Sequence, residues 1–173
     1  MCHDCGCSAP GAANHLHHHD QEPVREHEHE AEHGSRTLRI EADLLAKNNR
    51  LAAGNRARFQ AAGVKVLNLV SSPGAGKTTL LEKTLTDLGQ ALRFAVLEGD
   101  QQTSRDAERI AATGMPVRQI NTGAGCHLDA HQVAHGSEAF DLARTDILMI
   151  ENVGNLICPA GFDLGEDHKV VLL

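Results

Sequence analysis

At 173 residues and 41% hydrophobic content, the chain is long enough for one domain with an appendage. Its net charge of −7 lacks the basic excess of a nucleic-acid binder, and four Phe with no Trp or Tyr offer no base-stacking platform. No apolar run approaches the roughly 20 residues of a membrane span, and the N-terminus lacks the basic-then-apolar pattern of a secretory signal. The expected compartment is therefore the reducing cytoplasm, where clustered cysteines read as metal ligands rather than disulfides.

Residues 1–36 hold seven acids against two arginines, and eight of the 12 histidines. A segment so poor in aliphatics cannot bury enough apolar surface to offset its ordering entropy, so a disordered Cys/His-rich metal-binding arm is expected. Cys2, Cys5 and Cys7 place three thiols within six residues. Thiolates at that spacing bind thiophilic metals, with the N-terminal amine or His3 as a fourth ligand. A short N/S set that flattens toward square-planar suits Ni²⁺, and tetrahedral Zn²⁺ is the alternative. His15, His17, His18 and His19, followed by the alternation Glu26-His27-Glu28-His29-Glu30, read as a weaker multivalent metal buffer.

Residues 37–62 predict a helix, with Leu45, Ala52 and Phe59 recurring every seven residues and Gly63 as its stop. From Val64 onward the pattern alternates. Strands are expected at Val64–Val70, Phe94–Glu98, Val117–Ile120, Asp146–Glu151 and Val170–Leu173. Helices are expected at Thr78–Leu88, Ser104–Thr113 and Leu128–Phe140. Repeated βα units imply an α/β fold over residues 37–173, a mostly parallel sheet with helices on both faces.

The first strand runs into Ser71-Ser72-Pro73-Gly74-Ala75-Gly76-Lys77-Thr78-Thr79, and a helix follows. This is the strand–loop–helix context of a phosphate-binding P-loop. Gly74 and Gly76 let the backbone N–H groups around Ala75 curl toward phosphate oxygens, Lys77 reaches the β- and γ-phosphates, and Thr78 offers a hydroxyl to Mg²⁺, with Thr79 beside it. Ser71 stands where the usual pattern begins with Gly. Asp100 and Asp106 are candidates to hold Mg²⁺ or orient water. Glu151 closes an apolar strand and is placed to coordinate Mg²⁺ through water or polarise the nucleophile. Gly154 is placed to give its N–H to the γ-phosphate, which would make its loop a switch.

A second metal site is expected from Cys126, His127 and Cys158. Three ligands are too few to close it, and a second copy of the chain across a two-fold axis would complete it. His131 and His135 read as surface histidines or auxiliary ligands.

Together these motifs resemble the hydrogenase nickel-incorporation GTPase (HypB) family. The resemblance rests on Cys2-x-x-Cys5-Gly6-Cys7, the His tract, Ala46-Lys47-Asn48-Asn49-Arg50, Ser72–Thr79, Glu98-Gly99-Asp100-Gln101, Cys126-His127-Leu128-Asp129-Ala130 and Glu151–Pro159. It implies a P-loop NTPase three-layer sandwich and a metallochaperone that hydrolyses GTP with Mg²⁺ and delivers Ni²⁺ during [NiFe]-hydrogenase maturation. It also implies a GTP-favoured homodimer, a HypA-like nickel chaperone as partner, and the hydrogenase large-subunit precursor as an indirect one. It assigns nickel to Cys2, Cys5 and Cys7, and nickel or zinc to Cys126, His127 and Cys158. Members of that family continue past the point matching Leu173 into an Asn-Lys-x-Asp loop that reads guanine. The expectation is thus a truncated chain with an incomplete sheet, retaining phosphate contacts without base selectivity. The alternatives are a nickel/zinc storage protein on a vestigial nucleotide fold, or a urease-type accessory GTPase.

Overall fold

The computed structural model describes residues 25–100, 105–123 and 125–173, with side chains described from residue 39. Cys2, Cys5, Cys7 and the histidines before Arg25 lie outside these residues.

Helix α1 spans Arg25–Ala62 and therefore begins well before the expected start at Thr37; residues 25–36, expected as part of a disordered arm, are helical. The extension has a local rationale. Residues 25–36 are rich in Glu, Ala and Arg, which favour helix by intrinsic propensity. The heptad reading of the later turns holds where the helix meets the core: Ala52 and Phe59 are fully buried, whereas Leu45, a turn or two earlier, is 38% exposed. At the C-terminus Val64 N–H donates to Phe59 O and Gly63 N–H to Gln60 O, the hydrogen-bond pair that closes a helix on a following glycine.

Five strands follow: β1 Lys65–Ser71, β2 Phe94–Asp100, β3 Val117–Asn121, β4 Ile147–Glu151 and β5 His168–Leu172. Helices α2 Lys77–Leu88, α3 Arg105–Ala111 and α4 Ala130–Ser137 connect them, with a short 3-10 turn at Leu142–Arg144. The sheet order is β3-β2-β4-β1-β5, and all the strand pairs are parallel. Alternation along the strands sorts the core into two halves. Val66, Ala95, Leu97, Leu148 and Ile150 pack with Phe59 of α1 and Leu128 and Val133 at α4. Leu69, Phe94, Val96 and Met149 pack with Leu81 and Leu85 of α2 and Ile110 of α3. The result is a three-layer α/β sandwich in which α1 and α4 cover one face and α2 and α3 the other.

Polar side chains pin α1 to this frame. Asn48 donates to Asp163 O at 2.7 Å and accepts from Ala130 N–H at 2.9 Å. Asn55, 4% exposed, donates to Ala130 O at 2.8 Å and to Leu164 O at 3.0 Å. Asn55→Ala leaves two buried carbonyls without their donor, and a loss of about 2 kcal/mol is expected by urea unfolding. An unchanged midpoint would show that water replaces the amide.

The predicted helix at Leu128–Phe140 is shorter at both ends. Asp129 caps it, accepting from Gln132 N–H at 2.7 Å while Gln132 Oε1 accepts from Asp129 N–H at 3.0 Å. This reciprocal pair is a capping box, which sets the first helical residue at Ala130.

Candidate functional site

The carboxyl ends of β1, β2 and β4 open into one cleft of about 390 Å³, where ligands bind in sheets of this kind. Its walls are Pro73, Gly74, Gly76, Lys77, Thr78 and Thr79 from the loop after β1, Glu98, Gly99 and Asp100 from β2, Asp106 and Arg109 from α3, and Glu151, Asn152 and Gly154 from the end of β4. A second cavity of about 400 Å³ lies at the other end of β2 beside Phe94 and carries no phosphate-type loop.

The loop conformation follows from its glycines. Gly74 and Gly76 have φ of 75° and 93°, a region that other L-residues avoid. Gly76 caps α2 with no side-chain hydrogen bond, so the first-turn N–H groups are not taken up by a side-chain cap at the positive end of the helix. Ala75 lies on the loop with its N–H turned back toward Ser72 O at 3.4 Å and is not part of the cleft wall. Lys77 is 8% exposed, and its Nζ donates to Ser71 Oγ at 2.8 Å. The serine at the first loop position thus parks the ammonium. Burial pulls the pKa of Lys77 below its ordinary value, and the charges of Glu151 and Asp106 oppose that shift.

Thr78 donates to Glu151 Oε1 at 2.7 Å, while the buried Glu151 Oε2 has no hydrogen-bond partner among the described residues. A hydroxyl, an uncommitted carboxylate oxygen and a nearby Asp100 are hard oxygen donors that fit a Mg²⁺ ion. Burial raises the Glu151 carboxyl to about 6. Glu98 sits directly beside Glu151 in the β2–β4 register and is 2% exposed. Its Oε2 is also without a partner among the described residues, and burial, with the charge of Glu151, raises it to about 8. Arg109 reaches the same cleft, donating to Thr79 Oγ1 at 3.2 Å and to Glu82 Oε1 at 3.1 Å.

The loop leaving β4 runs from this cleft to a cluster of sulfur and imidazole. The ligand atoms of Cys126, His127 and Cys158 all lie within 4.8 Å of one another, the sole grouping of three or more metal-ligating side chains among the described residues. Cys126 Sγ is 3.4 Å from His127 Nδ1. Burial lowers the pKa of His127, which favours the neutral imidazole that ligates metals, and its ring rests on Phe162 at 4.0 Å between centroids. A hydrogen bond with Cys158 raises the pKa of Cys126, so metal binding here must release a proton.

Asn152 connects cleft and cluster, and Asn155 braces the cluster itself. Asn152 follows Glu151, is 1% exposed, and its Oδ1 accepts from Leu128 N–H at 3.1 Å, immediately after His127. Asn155 Oδ1 accepts from Cys158 N–H at 3.4 Å, and its amide reaches Cys126 O at 3.5 Å. Gly154 packs against the P-loop, where an added Cβ would stand 3.0 Å from Pro73 Cα.

The family model described as "CobW/HypB/UreG, nucleotide-binding domain" matches residues 65–169. The chain belongs to the CobW/HypB/UreG nucleotide-binding family. It is 63% identical over 139 residues to the hydrogenase maturation factor HypB of Azotobacter vinelandii, covering 80% of this chain and 46% of that protein. It is 61% identical over 138 residues to the HypB of Escherichia coli K12, covering 80% and 48%. The chain thus spans about half the length of these curated relatives. Among solved structures, HypB from Helicobacter pylori in complex with nickel superposes with a TM-score of 0.69 at 44% identity, covering 73% of this chain and 60% of that one. HypB from Archaeoglobus fulgidus gives 0.68 at 41% identity, covering 75% and 63%.

The stretch that matches the CobW/HypB/UreG model contains both the cleft and the Cys126 cluster. The structure brings Gly74, Gly76, Lys77, Thr78, Thr79, Asp100, Glu151 and Gly154 to one cleft, and Cys126, His127 and Cys158 to one point. Sequence reasoning missed Arg109, which lies on the solvent side of a short helix, the linking role of Asn152 and the bracing role of Asn155. Glu98 was legible only as the neighbour of Asp100; the alternation of β2 points it into the sheet end beside Glu151. No helix among the described residues is long and apolar enough to cross a membrane.

Proposed function

We propose that this chain is the nucleotide-responsive metal-carrying part of a nickel metallochaperone that hydrolyses GTP during [NiFe]-hydrogenase maturation. The observation that carries the proposal is the loop Glu151–Cys158. One end supplies the carboxylate bonded to Thr78, and the other supplies a sulfur of the Cys126 cluster. Asn152 ties that loop to the backbone beside His127. A change in phosphate or Mg²⁺ contacts at Glu151 thereby has a direct covalent and hydrogen-bonded route to the ligand set. The named relatives are hydrogenase maturation factors, and the Helicobacter pylori structure was determined with nickel.

In this reading Lys77 and the open N–H groups of α2 hold the β- and γ-phosphates. Thr78, Asp100 and Glu151 would hold Mg²⁺, which neutralises charge developing on the transferred phosphoryl group. Gly154, packed on Pro73, is placed for its loop to respond to the γ-phosphate. Cys126, His127 and Cys158 carry Ni²⁺, or Zn²⁺, as cargo, and a second copy of the chain completes the coordination. The side chain of Ile157, 85% exposed beside Cys158, supplies an apolar contact for such a homodimer. By the same family likeness, metal passes to or from a HypA-like chaperone in the cytoplasm and on to the hydrogenase large-subunit precursor. Cys2, Cys5 and Cys7 form the separate N-terminal nickel site.

The test is a nickel titration with a parallel hydrolysis assay, in a Cys2→Ser/Cys5→Ser/Cys7→Ser background. Adding Cys126→Ser and Cys158→Ser is expected to weaken nickel binding by at least about 100-fold, since even outer-sphere partners of a ligand are worth 10–100-fold. Hydrolysis in the absence of nickel should stay within a few-fold. Nickel affinity that ignores these substitutions, or tight nickel binding with no triphosphate hydrolysis by the parent chain, overturns the proposal; the latter outcome is that of a storage protein.

A further inference from the structure

Helix α4 presents two histidines on its outer face, one turn apart, and they meet. His131 Nε2 and His135 Nε2 are 3.2 Å apart, with the rings 4.5 Å between centroids at 75°. On the far side of the second ring, His135 Nδ1 lies 3.6 Å from Glu138 Oε2. The inner face of the same helix is occupied by Val133, Gly136 and Ser137, all buried, so the pair does not belong to the core.

We propose that His131 and His135 form a second, exchangeable binding site for a borderline divalent metal ion such as Ni²⁺, Zn²⁺ or Cu²⁺. Imidazoles at i and i+4 on a helix project side by side, so two nitrogens chelate one ion with little rearrangement. A metal at about 2.05 Å from each nitrogen would subtend an angle of about 100° across a 3.2 Å separation, which suits tetrahedral or cis coordination. Glu138 stands where an orienting carboxylate stands in many metal sites, on the other nitrogen of a ligating imidazole. The groove beside the pair, bounded by Asn121 and Gln132, leaves room for water to fill the remaining positions. Arg118 lines that groove as well and makes the site weaker than an acidic surround would. Two protein ligands and an open face describe a site that loads and unloads readily, unlike a closed structural one. The site does not depend on the nickel-carrier reading, because its residues are distinct from Cys126, His127 and Cys158. The competing explanation of the 3.2 Å contact is a plain hydrogen bond between two neutral imidazoles.

The experiment follows backbone amides of the full chain by NMR as Ni²⁺ is added, in a Cys2→Ser/Cys5→Ser/Cys7→Ser/Cys126→Ser/Cys158→Ser background that disables the thiolate sites. Both histidines are exposed, so His131→Gln and His135→Gln leave the core intact, and the unchanged remainder of the spectrum verifies this. The expected result is paramagnetic broadening centred on α4 and β3, with at least tenfold more Ni²⁺ required after either histidine substitution and a few-fold more after Glu138→Gln. Zn²⁺ should shift the same amides without broadening them. Broadening that is absent from α4, or that persists unchanged in His131→Gln, reduces the pair to a hydrogen bond and overturns the proposal.

Discussion

Lys77→Ala is expected to lower triphosphate hydrolysis by about 100- to 1,000-fold at saturating nucleotide and Mg²⁺. The size follows from what one preorganised charge contributes in a water-poor site where negative charge moves toward the leaving oxygen. Lys77 is almost fully buried, and its ammonium is already held by Ser71 at the mouth of the loop, so no reorganisation is needed when phosphate arrives. Lys77→Arg should not restore the rate, because a planar guanidinium is bulkier and cannot take the same compact, buried place beside Ser71. Single-turnover hydrolysis measures the effect directly. The fold should survive the substitution, since removing a buried ammonium relieves its desolvation. A loss below tenfold would place the main phosphate charge elsewhere, with Arg109 next in line on the cleft wall.

Glu98→Gln is expected to flatten the pH dependence of stability. The folded protein holds the Glu98 proton up to about pH 8, whereas the reference carboxyl releases it near 4.5. The folded pKa is the raised one, so this contribution to stability is fully present below pH 4.5. It is lost progressively as the pH rises and is exhausted once the pH passes about 8. At 1.4 kcal/mol per pH unit, the parent chain should lose about 3 kcal/mol between pH 5 and 8 from this group. Glu151 adds a smaller loss of the same sign between 4.5 and about 6. Glutamine keeps the shape and carries no titrating proton, so the variant should retain only the Glu151 part. Urea unfolding at pH 5 and pH 8, without Mg²⁺ or nucleotide, makes the comparison. Identical pH profiles for parent and variant would show that Glu98 ionises freely in the folded state. Added Mg²⁺ should narrow the difference, because a cation beside Glu98 and Glu151 favours the ionised pair.

Periodicity and loop chemistry located most of the elements to within a residue or two. The strand expected at Val64–Val70 is β1 displaced by one residue at both ends, and that expected at Asp146–Glu151 is β4 with its start one residue later. Runs of buried apolar residues bounded by Asp, Gly or Ser leave little freedom there. The helix at Leu128–Phe140 was harder to delimit. Its start depends on a capping box involving Asp129 and its end on local turns at Glu138–Phe140, neither of which leaves a periodic signal. The early start of α1 at Arg25 was likewise hidden, because a charged helix with no apolar stripe reads as solvated chain.

The sequence by itself determined the chemistry available to this protein. A Gly-rich loop between strand and helix, an acid closing an apolar strand, and a Cys-His pair with a distant Cys are all local patterns whose physical meaning is carried by residue type and short spacing. Tertiary structure decided which of them act together. Only the order β3-β2-β4-β1-β5 sets Glu98 beside Glu151 and Glu151 against Thr78, because adjacency across strands depends on register between segments far apart in the chain. Only the folding of the loop after β4 brings Cys158 to Cys126 and His127, and only burial, a property of packing, pushes the Glu98 and Glu151 carboxyls upward.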